Sequence, residues 1–166
     1  MDVQAIMSRK LVLVSLDDPV SKVREIFNTW RFHHLLVVDG RRLVGVVSDR
    51  DLLKNLSPFL GRELAERAQD VALLDRKVHQ IMTRKLITAT REMAVENAMQ
   101  LMVSQQVSCL PVINEKQEPV GIVTWKDMFR VMVPGLQLPP LRRDEEIPPV
   151  AEEESATPPS ITQAEL

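Results

Sequence analysis

The chain has 166 residues, of which 27% are charged and 45% hydrophobic, and its formal charge is -2. That length suits one ordinary domain or two small ones sharing a core, and the apolar fraction excludes wholesale disorder. One cysteine, Cys109, excludes an internal disulfide and a multi-cysteine zinc site, and no apolar run approaches the ~20 residues of a membrane helix.

The first element predicted is a short β-branched strand in LVLVS, from Leu11. Asp18 then offers a carboxylate to uncapped helix amides, and Pro19 suits the first helical position. Val20, Val23, Ile26, Phe27 and Trp30 fall at helical spacing and predict one apolar face. LLVV is a fully apolar strand. Asp39-Gly40 tolerates positive φ and predicts a tight hairpin, from which LVGVV returns as the next strand. Ser48 can cap a following helix that carries Leu52, Leu53 and Leu56. Residues 61–75 have a helical pattern.

A shift of 75 residues then aligns VQAIMSRKLV with VHQIMTRKLI. Val3, Ile6, Met7, Arg9, Lys10 and Leu11 recur as Val78, Ile81, Met82, Arg84, Lys85 and Leu86. HLLVVD aligns with CLPVIN, and after one inserted residue VGVVSDRD aligns with VGIVTWKD. Duplication of one supersecondary unit is the simplest account. In the second copy Val95, Ala98, Met99, Leu101 and Met102 predict the first helix, and Met128, Phe129 and Met132 the last, which Pro134 helps to end. Each copy therefore reads strand, helix, strand, strand, helix. A half of this size buries too little surface to be stable alone, and its strands are apolar on both faces. The expected architecture is a mixed α/β (α+β) fold in which two βαββα repeats pack about a pseudo-twofold axis, with a cleft on each side. The expected boundaries are 1–60 and 78–133 for the repeats and 61–77 for a helical linker.

Residues 1–133 hold 19 Lys+Arg and 16 Asp+Glu, a balance of +3, whereas residues 134–166 hold two arginines against seven acids, a balance of −5. Seven of the eleven prolines also lie in this last stretch, which has no helical or strand period. It is expected to be a disordered tail, either merely solvating or docking on a partner.

Two four-residue signals stand at corresponding strand-to-helix junctions, Ser48-Asp49-Arg50-Asp51 and Thr124-Trp125-Lys126-Asp127. A hydroxyl, a cation and a carboxylate at a helix start can grip a nucleotide. Free amides and the cation suit phosphate, and the carboxylate can accept both hydroxyls of a ribose. Ser/Thr followed three residues later by an acid is also close to a capping box, which only stabilises the helix. Both readings stand on these residues, and one group can serve both. His33 and His34 precede the LLVV strand. Adjacent residues on an extended strand point to opposite sides, which argues against joint metal binding. His79 is expected to be structural, and Cys109 a small buried hydrophobe.

The ordered blocks, IM-[ST]-RKL, then HHLLVVD or CLPVIN, then Gly-hydrophobic-Val-[Ser/Thr]-x-x-Asp, resemble the CBS (cystathionine-β-synthase) domain. Two copies in the correct order resemble a tandem pair, a Bateman module, from the start to about residue 133. The resemblance implies a module that often dimerises and binds an adenine nucleotide, AMP, ADP or ATP, with or without magnesium, between the repeats. Others of the family bind S-adenosylmethionine, and some copies bind nothing. In the first cleft it implies ribose on Asp51, phosphate near Ser48, Arg50, His33 and His34, and Val46 on the floor. Val107, Ser108 and Cys109, with Ala98 on the helix, would form the opposite wall. In the second cleft it implies Asp127, Thr124, Lys126 and Ile122 opposite Phe32 and His33. There Ser108 and Cys109 replace the basic pair and Trp125 narrows the entrance, so the first cleft is expected to be the better site.

No Walker loop, Gly-x-Gly-x-x-Gly or nucleophile elbow is present, which points away from an enzyme. The expected function is a non-catalytic nucleotide sensor with a regulated protein partner. The alternative is a ligand-free interaction module using the disc face or the acidic tail. Nucleic acid is disfavoured by the small, dispersed positive balance and by 4% aromatics without tyrosine. The first residues, MDVQAIMSRKL, lack the apolar stretch of a secretory signal, so a soluble cytoplasmic protein with no membrane partner is expected, and the start at Met1 is read as not that of a fragment of a larger enzyme.

Overall fold

In a computed structural model, residues 1–30, 32–55 and 72–133 are described. The first repeat contains strand β1 (Leu13–Ser15), helix α1 (Val20–Thr29), strands β2 (His34–Asp39) and β3 (Arg42–Ser48), and helix α2 (Asp49–Asn55). The second contains helix α3 (Val95–Gln105), strands β4 (Cys109–Ile113) and β5 (Pro119–Thr124), and helix α4 (Trp125–Met132). No helix among the described residues is long and apolar enough to cross a membrane.

In the first sheet β1 runs parallel to β2, and β2 pairs antiparallel with β3. The turn works because Gly40 takes φ 58, where a side chain is disfavoured. The second repeat keeps the β4–β5 hairpin, but its counterpart of β1 shrinks to a single bridge, Ala89 to Val112, matching the Val14–Val37 pair of the first sheet. Alanine between two threonines offers less apolar side chain to pack than the Leu13-Val14 pair. Even the irregularity repeats: the register shifts between Val37 and Val38 and again between Val112 and Ile113.

The start of α1 differs from the sequence expectation. Pro19 is the cap residue and lies outside the first turn, and Asp18 makes no bond to the helix amides. Its carboxylate instead accepts the Ser15 N–H at 2.8 Å and pairs with Lys22 at 2.9 Å. The reason is that the linker reaches the amides first: Val20 donates to Arg76 O at 2.8 Å and Ser21 to Leu74 O at 2.9 Å. Leu56, Pro134, most of the expected linker helix and the whole C-terminal segment lie outside the described residues.

The two cores are built by exchange. Val3 and Met7 are buried with Val95, Met102, Leu110 and Met128 of the second repeat. Val78, Ile81 and Met82 are buried with Val14, Val23, Leu35 and Val47 of the first. Each repeat therefore lends its opening 3₁₀ turn, Val3–Ala5 or Val78–Gln80, to the other. Backbone ladders seal the exchange. Ser8 and Ile122 trade N–H···O bonds of 2.9 and 3.0 Å, and Thr83 and Val46 trade bonds of 2.9 and 3.1 Å. The close approach needs glycine. A Cβ on Gly45 would collide with Met82 Sδ and lie 3.3 Å from Thr83 O, and one on Gly121 would collide with Met7 Sδ. These paired contacts relate the halves by a pseudo-twofold operation, as the repeat in the sequence predicts.

Candidate functional site

Both strand-to-helix junctions are capping boxes. Asp51 Oδ2 accepts the Ser48 N–H at 2.9 Å and its hydroxyl at 2.7 Å, and the Asp51 N–H returns to Ser48 Oγ at 3.2 Å. Thr124 and Asp127 repeat the pattern, at 2.9 Å from the amide and 2.7 Å from the hydroxyl. The carboxylates therefore begin as structural groups that satisfy amides the helix leaves open. Their second oxygens differ. Asp51 is half-buried, and its Oδ1 takes no part in the box. Asp127 is 6% exposed, and Arg130 Nη1 lies 3.5 Å from its Oδ1. The first copy thus retains an acceptor that the second has committed.

Next to the first junction, the ends of β2 and β3 bring the histidines in. The Asp49 N–H donates to His33 O at 3.2 Å, and His33 Nδ1 hydrogen-bonds Asp49 Oδ2 at 2.9 Å. His34 has a different partner: its Nε2 lies 2.9 Å from Ser108 Oγ of the other repeat. Burial holds His34 below the ordinary imidazole range, and the charges of His33 and Arg50 add to this, against the opposite pull of Asp49 and Asp51. Asp49 is the residue to which the sequence assigned no role. Desolvation pushes its carboxyl up, but the His33 hydrogen bond, the charges of both histidines and the Arg50 amide together hold it below the usual carboxylate range. An acid beside Ser48 that pairs back to the strand carries no local pattern, so only the fold reveals it.

The remaining expected residues divide. Val46 and Ile122 are half-buried on the seam, where their backbones make the cross-repeat ladders. Val107 is half-buried, while Arg50, Ser108 and Lys126 are exposed. Cys109 is buried, and burial pushes its thiol up to about 12, so it stays protonated and inert. Ala98 exposes nothing, since it faces inward on α3 among Met102, Leu110 and Met128. Phe32 packs against the first core, and Trp125 stacks at a tilt on Phe129, with centroids 6.2 Å apart. What the fold assembles is one group drawn from both repeats: His33, His34, Ser48, Asp49 and Asp51 facing Ser108. A separate open groove of about 280 Å3 runs along α1, lined by Ser21, Arg24, Glu25, Asn28, Thr29 and Leu74, and touches none of these.

Comparison with known proteins gives the arrangement its context. The CBS domain model matches twice, over residues 3–58 and 78–134. A CBS domain-containing protein of Dictyostelium discoideum is 33% identical over 141 residues, covering 83% of this chain and 96% of that one. Among solved structures, the CBS domain pair of protein MJ0100, in complex with 5′-methylthioadenosine and S-adenosyl-L-methionine, superposes with a TM-score of 0.66. Identity there is 25%, over 80% of this chain and 100% of that one. The cytosolic domain of the Mg2+ channel MgtE, in complex with ATP, gives a TM-score of 0.61 at 26% identity, over 78% of this chain and 48% of that one.

Proposed function

The chain belongs to the CBS domain family, as a tandem pair of its repeats, and from that premise we propose that it is a non-catalytic regulatory module sensing an adenine nucleotide. AMP, ADP or ATP occupies the crevice between the repeats, and its occupancy is passed to a protein partner. The single observation that carries this reading is the meeting of His34 with Ser108 across the two repeats, beside a carboxylate with one oxygen outside its helix cap. Asp51 Oδ1 accepts from the ribose, while Arg50, His33 and His34 face the phosphate. Val46 and Val107 supply the apolar surface for the base. Ala98 and Cys109 support that wall from inside the core. The second crevice, with Thr124, Lys126, Asp127 and Ile122, is the weaker site because Arg130 already engages Asp127. That solved CBS-containing proteins carry an adenosyl thioether, S-adenosyl-L-methionine or ATP supports an adenosyl ligand here.

A ligand that binds only one arrangement of the repeats shifts the module toward it, which is how occupancy reaches a partner. A second reading, an interaction module, draws on the terminal helices. Leu53 on α2 and Phe129 on α4 are exposed at corresponding positions, with Met132 exposed one turn beyond Phe129, and such a face suits another protein surface or a second copy.

A thermal-shift panel of AMP, ADP, ATP, S-adenosylmethionine and 5′-methylthioadenosine, with and without magnesium, separates the two readings. An adenosine phosphate at 100 times its Kd adds about 2.7 kcal/mol of stability. A panel with no shift from any member contradicts the sensor and leaves the interaction module.

A further inference from the structure

Building on the ligand reading above, we propose that the His33–His34 wall makes adenosine-phosphate binding proton-coupled, so that the phosphate enters with uptake of a proton and affinity falls as pH rises through neutrality. The geometry is that of two adjacent imidazoles with different anchors. His33 Nδ1 lies 2.9 Å from the Asp49 carboxylate, and His34 Nε2 lies 2.9 Å from the Ser108 hydroxyl of the opposite repeat. The charged groups acting on His34 are Asp49, His33, Asp51 and Arg50. A phosphate dianion arriving here meets two carboxylates and one guanidinium, an unfavourable balance. One more proton on the imidazole pair brings that balance to zero.

His34 is the group with room to take that proton, because burial favours its neutral form. Its anchor tolerates both states. A hydroxyl donates to a bare ring nitrogen or accepts from a protonated one, so the contact with Ser108 survives the change. The corresponding positions of the second repeat are Ser108 and Cys109, and neither titrates near neutrality, since the thiol is pushed up to about 12. The coupling therefore belongs to the first crevice alone.

The test is calorimetric titration of the full chain with ATP near neutral pH, in two buffers of different ionisation enthalpy. Adenosine serves as the phosphate-free control. The expected result is a buffer-dependent heat equal to a fraction of a proton taken up. Kd is expected to be about threefold or more tighter at about pH 6.5 than at about pH 8, against a ceiling of tenfold per unit for a whole proton. His34→Gln keeps a partner for Ser108 without a titrating group and flattens both readouts, and His33→Gln reduces them. The ligand's own phosphate titration is common to all three proteins and cancels in the comparison. ATP binding with buffer-independent heat and constant Kd in the wild type overturns the inference and leaves the ligand reading standing. So does proton uptake that persists in both variants. No heat from AMP, ADP or ATP overturns the ligand reading itself, and the inference with it.

Discussion

His34 shows how a single side chain ties chemistry to fold in this module. It lies half-buried at the head of β2 and bonds a serine 74 positions away. Its pKa is lowered chiefly by burial, so the unfolded chain binds this proton more readily than the folded one. The sign follows. The fold has the full benefit of a neutral His34 above its unfolded value of 6.5 and loses it as pH falls through 6.5 toward the lowered folded value. Asp49 acts with the same sign, but in a lower window, beneath 3.8. Urea denaturation should therefore give lower stability at about pH 5.5 than at about pH 7.5, and His34→Gln should lose less over that interval. Equal losses in the two proteins would assign the acid sensitivity to other groups. At this scale the sequence was partly transparent. The Ser/Thr-x-x-Asp spacing announced both a cap and a carboxylate, and the caps are there. Asp49 was opaque, because its partner is 16 positions away and on another element. Ala98 was opaque for the opposite reason. A small residue on a helix next to a crevice has the same local pattern whether it faces the ligand or the core.

Among the elements, strands and hairpins were the most legible. Runs such as LLVV and LVGVV have one stable use, and Gly40 marks the turn between them. The helix starts were less so. Asp18-Pro19 has the composition of a cap, but the linker carbonyls of Leu74 and Arg76 satisfy the amides instead, and a local reading sees no linker. The exchange of opening turns was invisible for a deeper reason. Val3 and Met7 are matched by Val78 and Met82, so either core could accept either segment as far as pattern goes. The glycines on β3 and β5 hold the clue, since each lies under the methionine of the other repeat. Gly45→Ala and Gly121→Ala should each cost about 1–3 kcal/mol, the range for inserting a methyl group into a packed core. Gly45→Ala should be the worse of the two, because Thr83 O, a backbone atom, also stands in the way. Thermal melts of the two variants check this, and wild-type melting for both would mean that the exchanged turns are not held closely.

At the scale of the whole molecule, the repeat yields two junctions, and they are unequal. One keeps Asp51 half-buried beside two imidazoles and an arginine, while the other has a buried Asp127 engaged by Arg130, beside Ser108 and Cys109. The repeat was legible in the sequence because its blocks kept their order over both copies, and the two matches to the CBS domain follow the same order. The inequality was legible only in part. The missing basic pair could be read from the chain, whereas the burial of Asp127 depends on packing. The central claim is that an adenine nucleotide sits in the first crevice with its ribose on Asp51. The most direct measurement is calorimetric titration of Asp51→Asn and Asp127→Asn with AMP, ADP and ATP in turn, alongside the wild type. Loss of a hydrogen bond to a charged group, about 1.5–3 kcal/mol, predicts a Kd weakened about tenfold or more in Asp51→Asn and little change in Asp127→Asn. Equal losses in both variants, or no heat from the wild type at any concentration, would contradict it.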